Sequence, residues 1–187
     1  YANPALPGLL ETWADGDDPI VCLVPEGAAL SELDRFTGGA VPHAGKAWNQ
    51  GALSISVLPM VELEVFDRRL WQCDLNFVRG EDSLVRAQWA GRPLVWQLYP
   101  QEEDAHLAKM DAFLTRYETG LPSTLREVQR AFWYGWNDGN ADMVVSAWPE
   151  LLAALPALRR HAHAWADHLA ARTDLCNLLV RYCENRL

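Results

Sequence analysis

The sequence predicts an α/β fold in which a Rossmann-like parallel sheet is followed by a helical C-terminal section. Short apolar runs alternate with helix-like segments over residues 1–102, and helical periodicity then continues without a strand over residues 103–187. The composition agrees with a packed fold, because 50% of the 187 residues are hydrophobic and 22% are charged.

Four apolar runs are predicted to be parallel strands, since turn-forming or polar residues bound each of them. They cover residues 20–24, 53–58, 75–78 and 94–98. The first is apolar throughout between Pro19 and Pro25, which is typical of a strand buried on both faces. Because helical segments separate the strands, right-handed crossovers are expected to place them side by side in one sheet.

Apolar residues at helical spacing mark the connecting segments. The first helix is expected to have Asn3 as its N-cap and Pro4 at its first position, and to end at Asp15. The other predicted helices cover residues 26–35, 62–73, 81–90, 104–117, 125–136, 143–153, 158–172 and 175–185. Residues 38–50 are predicted to form a loop.

Charge and composition argue against several classes of protein. A net charge of -9 disfavours a groove for duplex nucleic acid, so no nucleic-acid partner is expected. No uninterrupted apolar run reaches the roughly 18 residues that cross a bilayer, and no signal peptide opens the chain, so no membrane partner is expected.

The four cysteines lack a CxxC pair and predict a cytoplasmic protein with reduced thiols, most of them in the core. The sequence opens without Met on YANP, which is typical of the exit from a strand into a helix, so we expect that an upstream segment has been removed or that this is the second half of a longer chain.

One strand-to-helix junction carries the most informative chemistry. Arg79 ends a strand, Gly80 follows, and Glu81, Asp82 and Ser83 open a helix. A helix N-terminus attracts anions, and an arginine there can bind a phosphate with two hydrogen bonds. A carboxylate repels phosphates, so the acids more plausibly accept hydrogen bonds from sugar hydroxyls. A purely structural role, in which Asp82 or Ser83 caps the helix and Arg79 pairs with an acid, is about equally compatible with the residues alone.

Two further strand ends are candidate ligand-binding places, because ligands of parallel sheets bind at the carboxyl ends of the strands. Tyr99 and Gln101 follow the last strand, where a diphosphate or a sugar can lie. The acidic residues 102–104 behind them are expected to complement the helix dipole. The apolar segment from Met60 to Phe66 can hold a base, with Phe66 stacking on it.

Other constellations are interpreted as structural. His161, His163 and His168 do not share one helix face with a carboxylate, so no metal site is expected. Cys176 and Cys183 are seven residues apart and are expected to be core thiols. The nine tryptophans, including those of the segment 132–136, are interpreted first as core residues. A dehydrogenase is disfavoured, because no Gly-rich dinucleotide fingerprint is present.

Several long strings of the sequence resemble the EarP family, the protein-arginine rhamnosyltransferases that act on bacterial elongation factor P (EF-P). The strings are CDLNFVRGEDS at 73–83, RAQWAG at 86–91, PLVWQLYPQEEDAH at 93–106, YANP at 1–4 and DAFL at 111–114. The resemblance covers most of the chain and is strongest over residues 67–114. It is specific, because several strings agree in order and in spacing.

The resemblance implies a GT-B glycosyltransferase with two facing Rossmann-like domains. Such an enzyme transfers L-rhamnose from dTDP-β-L-rhamnose to an arginine of EF-P, with inversion at the anomeric carbon and without a metal ion or other cofactor. Residues 1–187 are then the C-terminal, donor-binding domain, with an α/β part over 1–102 and a mainly helical part over 103–187. The N-terminal acceptor domain with its catalytic aspartate lies outside this sequence, so this chain alone is expected to be inactive.

The resemblance also implies roles for individual residues. Arg79 and Tyr99 match residues that contact the diphosphate, with Gln101 beside Tyr99. Glu81 and Asp82 match acids that are needed for donor binding and activity, and Ser83 opens the phosphate-facing helix.

Three further positions are matched to the thymine. Phe66 matches an aromatic residue near this base. Met60 and Leu63 depart from the Phe and Gln that are frequent in the family, which leaves the details of base recognition open. The alternative hypothesis is a non-catalytic module that binds a nucleotide or docks a protein.

Overall fold

The computed structural model of the chain describes residues 2–27 and 29–185. Its strands are β1 (Ile20–Pro25), β2 (Ala47–Gln50), β3 (Leu53–Leu58), β4 (Asn76–Arg79) and β5 (Leu94–Gln97). Its helices are α1 (Leu6–Asp15), α2 (Leu30–Thr37), α3 (Leu63–Gln72), α4 (Asp82–Trp89), α5 (Ala105–Tyr117), α6 (Ser123–Asp138), α7 (Ala141–Ala170) and α8 (Leu175–Glu184). The mixed α/β class and the helical C-terminal section are confirmed.

The strands form two small sheets instead of one. In the first sheet, β1 pairs in parallel with β3, and β2 pairs antiparallel with the other edge of β3. In the second sheet, β4 and β5 are parallel. The prediction of a single sheet is therefore wrong, and so is the loop predicted over 38–50, because its end forms β2. β2 is short and mostly exposed, so it lacks the apolar run that identifies a buried strand.

The position of β1 differs from the prediction of a strand buried on both faces. β1 is an edge strand, and the side chain of Val21 is 67% exposed. An apolar run of this length is compatible with an edge strand as well as with a central one, and the sequence pattern does not separate the two.

Helix boundaries differ where glycine and proline are involved. α2 begins at Leu30 and not at residue 26, because Gly27 has a φ of +85° that no right-handed helix accommodates. The two helices predicted over 143–153 and 158–172 are one helix, α7, which contains Pro149 and Pro156. Both prolines are exposed, while buried residues from Val144 to Ala162 continue past them along another face of α7, so tertiary packing outweighs the missing N–H groups. Asn3 does act near the start of α1, since its Oδ1 accepts from the N–H of Ala5 at 2.9 Å, although α1 itself begins at Leu6.

Aromatic side chains of α6 tie the helical section to the second sheet. Phe132 and Trp133 are fully buried, and the indole N–H of Trp133 donates to the carbonyl of Leu94 on β5 at 3.1 Å. The ring of Trp133 also stacks on Phe113 of α5, with centroids 5.9 Å apart. These contacts confirm that the segment 132–136 packs between elements.

The long helix α7 belongs to an apolar segment that is only partly buried in the chain. The segment Ala141–Glu184 contains a window of mean hydropathy 1.3, which is long and apolar enough to cross a membrane by length and composition only. Uninterrupted apolar runs alone predict no such segment. Hydropathy averaged over a window that includes isolated polar residues does identify one. α7 contacts α1, α4 and α6, and the window is 28% buried inside the chain. α7 therefore packs on the rest of the chain along one face, and most of the window is not buried.

The cysteines divide into two groups. Cys22 and Cys73 are half-buried, and burial raises the pKa of the Cys22 thiol to about 12, which disfavours the thiolate form. Cys176 and Cys183 are exposed on α8, which contradicts their assignment to the core. The seven-residue spacing does place them near one face of a helix, but α8 has no buried residue within the described part of the chain.

Candidate functional site

The parallel pair β4 and β5 ends at one edge of the second sheet. Arg79 lies opposite Gln97 in the register, so the segments that follow the two strands lie side by side. A pocket of about 220 Å³ opens between them and α5. It is lined by Gly80, Glu81, Trp96, Leu98, Tyr99, Gln101, His106 and Lys109. Glu81, Tyr99 and Gln101 were predicted as site residues, and the structure brings these three together.

The turn after β4 is fixed by glycine and by a hydrogen bond. Gly80 has a φ of +65°, a conformation that other residues adopt only at a cost, and it lets the chain turn directly from β4 into α4. The indole N–H of Trp96 donates to the carbonyl of Gly80 at 2.7 Å. Asp82 and Ser83 form the first turn of α4, whose opening N–H groups have no acceptor within the helix. The turn thus presents a helix N-terminus directly after Arg79.

The segment after β5 is held by the half-buried amide of Asn137. The side chain of Asn137 on α6 accepts from the N–H of Leu98 and donates to the carbonyl of Trp96, both at 2.9 Å. The N–H of Gln101 donates to Nδ1 of His106 at 3.2 Å. Tyr99, between these two fixed points, is 62% exposed, so its phenol is accessible at the mouth of the pocket.

One ion pair crosses the pocket. The ammonium group of Lys109 on α5 donates a hydrogen bond to the carboxylate of Glu81. This hydrogen bond and the positive charge of Lys109 lower the pKa of Glu81. The same ammonium group lies 5.5 Å from the centre of the Trp96 ring, within the range of a cation–π contact. The pocket therefore contains an ionised carboxylate that is already compensated by a cation.

The predicted base-binding residues do not line this pocket. Met60 and Leu63 are 74% and 59% exposed at the start of α3, whereas Phe66 is half-buried and packs against the core. The path from β3 into α3 is fixed by Arg69, whose guanidinium donates to the carbonyl of Pro59 at 3.3 Å. Met60 and Leu63 thus remain accessible, while Phe66 is partly committed to packing.

The acidic segment 102–104 does not belong to α5 as predicted. It forms a separate 3₁₀ turn in which Glu103 and Asp104 both have a φ of +55°, and α5 begins only at Ala105. All three acidic side chains are exposed.

Sequence reasoning missed four residues of the pocket, namely Trp96, Leu98, His106 and Lys109. The last two are three residues apart, so they lie on one face of a helix, next to the buried Met110. This spacing was a usable signal, because two polar residues next to a buried apolar stripe indicate the edge of a helix where the core ends and solvent begins, and a pocket can form there. Trp96 carried no such signal, since a tryptophan in an apolar strand is usually a core residue.

The three histidines of α7 are in separate surroundings. His161 lies with its Nε2 2.6 Å from the carbonyl of Tyr117, and His168 stacks on Trp165. The ring of His163 lies against Gly91. Within residues 2–27 and 29–185, no three His, Cys, Asp or Glu side chains are grouped so that they could hold a metal ion.

Comparisons with known proteins place the chain in a family. A family model for the elongation factor P (EF-P) rhamnosyltransferase EarP matches residues 1–184. The protein-arginine rhamnosyltransferase of Pseudomonas aeruginosa is 48% identical over 182 residues, which are 97% of this chain and 48% of that protein. Its counterpart from Pseudomonas putida is 42% identical over 187 residues, which are 100% of this chain and 49% of that protein. The chain thus spans about half the length of these curated relatives.

A solved structure supports the same relationship. It concerns the structural basis for EarP-mediated arginine glycosylation of translation elongation factor EF-P. It matches this chain with a TM-score of 0.86 and 38% identity, over 100% of this chain and 59% of that one. The resemblance seen in the sequence strings is confirmed, and the chain belongs to the EarP family of EF-P rhamnosyltransferases.

Proposed function

We propose that this chain is the donor-binding half of a GT-B protein-arginine rhamnosyltransferase. We further propose that it binds dTDP-β-L-rhamnose at the pocket beyond the ends of β4 and β5. The observation that carries the proposal is the meeting of two segments, Arg79–Ser83 and Tyr99–Gln101, at one sheet edge in a chain of the EarP family. Ligands of parallel strands bind at this end of a sheet.

The diphosphate is assigned to the turn after β4. The guanidinium group of Arg79 and the opening N–H groups of α4 supply positive charge and hydrogen-bond donors. The exposed phenol of Tyr99 adds a donor from the other side of the pocket. These groups also stabilise the charge of the departing dTDP, so the proposal needs no metal ion.

The sugar is assigned to the acidic side of the same pocket. Glu81 points into it, and Asp82 follows at the start of α4. Carboxylates accept hydrogen bonds from sugar hydroxyls, which suits Glu81 and Asp82 for holding and activating the donor. Gln101, which also lines the pocket, contributes a further polar group, and Ser83 follows Asp82 in the first turn of α4.

The thymine is assigned to the apolar surface before and within α3. Met60 and Leu63 are exposed there, and Phe66 forms the edge of the core behind them. A thioether and a branched alkyl group can cover one face of a pyrimidine ring without hydrogen-bonding to it. Selectivity for the base is then expected from shape more than from polar contacts.

In the proposed reaction, a guanidinium nitrogen of the EF-P arginine attacks the anomeric carbon from the face opposite the diphosphate. The new C–N bond forms as the C–O bond to the diphosphate breaks, dTDP leaves with the electron pair, and the guanidinium loses one proton. The arginine side chain is protonated at neutral pH, so a base must accept that proton. We assign the base, the docking of EF-P and hence full activity to the half of the enzyme outside this sequence, and we expect the enzyme to act in the bacterial cytoplasm.

Calorimetric titration of the chain with dTDP, UDP and GDP tests the proposed donor site. We expect one dTDP to bind per chain, and both other nucleotides to bind at least about ten-fold more weakly, equivalent to about 1.4 kcal/mol. UDP is the sharper control, because uracil lacks the methyl group of thymine and the nucleotide carries a 2′-hydroxyl. Equal binding of all three nucleotides would remove the support for a dTDP-sugar donor.

A further inference from the structure

Lys109 lies in the wall of the pocket and has no role in the function proposed above. We propose that Lys109 is a positioning residue of the donor site, whose ammonium group neutralises and holds the Glu81 carboxylate so that a diphosphate can bind beside it. This inference rests on the proposed donor site, and it gives a residue of α5 a part in the binding assigned above to the segments after β4 and β5 and to α3.

The geometry ties three side chains together. Lys109 donates to the carboxylate of Glu81, and its ammonium group lies 5.5 Å from the centre of the Trp96 ring. Trp96 is 3% exposed, and its indole N–H donates at 2.7 Å to the carbonyl of Gly80, the residue before Glu81. The indole of Trp96 therefore holds the backbone of the turn, and Lys109, which lies over that indole, holds the carboxylate of Glu81.

Charge explains why the pair is needed in this place. Glu81 lines the same pocket as Tyr99, to which the diphosphate is assigned. Like charges at contact distance repel strongly where solvent is partly excluded. A carboxylate that is already paired with an ammonium group presents little net charge to the phosphates, and its second oxygen stays available to a sugar hydroxyl.

Stability of the fold does not explain the pair. The side chains of Lys109 and Glu81 are 49% and 75% exposed, and ion pairs so accessible to solvent contribute little to folding. The interaction lies instead in the pocket wall, where both partners are within reach of a ligand. Its expected effect is therefore on binding and not on the melting temperature.

The test compares dTDP affinity, measured by calorimetry, in four variants of the chain. dTDP is the probe because it carries the diphosphate but no sugar hydroxyls, so any contact of Glu81 with the sugar does not contribute. We expect Lys109→Met to weaken dTDP binding about ten-fold, and Lys109→Arg to retain near wild-type affinity. We expect the double variant Lys109→Met/Glu81→Gln to recover most of the loss, because it removes the carboxylate that Lys109 neutralises. Arg116→Met removes a cation from the exposed end of the same helix and serves as the matched control with unchanged affinity.

The alternatives give different results. Wild-type affinity in Lys109→Met would overturn the inference, and so would a double variant as weak as Lys109→Met, which would indicate direct contact of the ammonium group with phosphate. The inference would also be overturned if Lys109→Met lowered the melting temperature and neither Lys109→Arg nor the double variant restored it, because that result would show a structural role. If the wild-type chain does not bind dTDP, the proposed donor site is wrong and so is this inference. If the wild-type chain binds dTDP and only the affinities of the variants differ from expectation, the result bears on Lys109 and leaves the proposed donor site standing.

Discussion

Replacing Trp133 by alanine is expected to lower the free energy of unfolding by about 3–5 kcal/mol. The indole is fully buried, stacks on Phe113 with centroids 5.9 Å apart, and donates to the carbonyl of Leu94 at 3.1 Å. Its removal leaves a large cavity between α5, α6 and β5, and it leaves that carbonyl without its donor. Urea denaturation followed by circular dichroism measures the change, which is a large part of the stability of an ordinary domain.

Two matched variants separate the contributions of volume and hydrogen bonding. Trp133→Phe keeps most of the stacking on Phe113 and loses the hydrogen bond, so we expect a smaller loss of about 1–3 kcal/mol. Trp71→Ala removes an indole that is 50% exposed and is expected to change stability by less than about 1 kcal/mol. Equal effects of Trp133→Ala and Trp71→Ala would contradict the packing described for α6.

Replacing Arg79 by alanine is expected to weaken dTDP binding about ten- to hundred-fold, which corresponds to the loss of one charge-assisted hydrogen-bonded contact of about 1.5–3 kcal/mol. Arg79 ends β4 immediately before the turn that opens α4, whose N-terminus is assigned to the same phosphates. The measurement is calorimetric titration at fixed ionic strength, because salt screens such contacts.

The control for charge is Arg126→Ala. Arg126 lies exposed on α6, whereas Arg79 directly precedes the pocket residues Gly80 and Glu81, and removal of either arginine changes the net charge by the same amount. We expect this variant to bind dTDP like the wild type. If both variants lose affinity equally, the effect is one of overall charge, and Arg79 has no specific part in phosphate binding.

Much of the fold could be predicted from the sequence, because periodicity and turn residues act locally. The apolar runs that became β3 and β5, and the helices α3 and α4, lie within one or two residues of their predicted bounds. The pairing of strands was not predictable in the same way. Whether β3 neighbours β4 depends on packing between distant segments, and nothing in the short strand β2 indicated its hairpin with β3.

The same distinction between local sequence signals and long-range packing applies to the residues of the site. Glu81, Tyr99 and Gln101 could be placed together, because the rule that ligands bind at strand ends needs only the order of strands and helices. Lys109 could not be placed there, since it depends on how α5 lies over the sheet edge. Asn137 was missed for a similar reason: its two hydrogen bonds at 2.9 Å to the backbone of Trp96 and Leu98 exist only when α6 packs on β5.

The central claim is that this chain supplies the donor half of an EF-P arginine rhamnosyltransferase. The most direct test is a chimera in which this chain replaces the matching half of the Pseudomonas aeruginosa relative, assayed with dTDP-β-L-rhamnose and EF-P by intact-protein mass spectrometry. We predict that the chimera adds one deoxyhexose to an arginine of EF-P, and that the Arg79→Ala chimera does so at least about ten times more slowly. A chimera that unfolds cooperatively and binds dTDP, yet transfers no sugar, would contradict the claim.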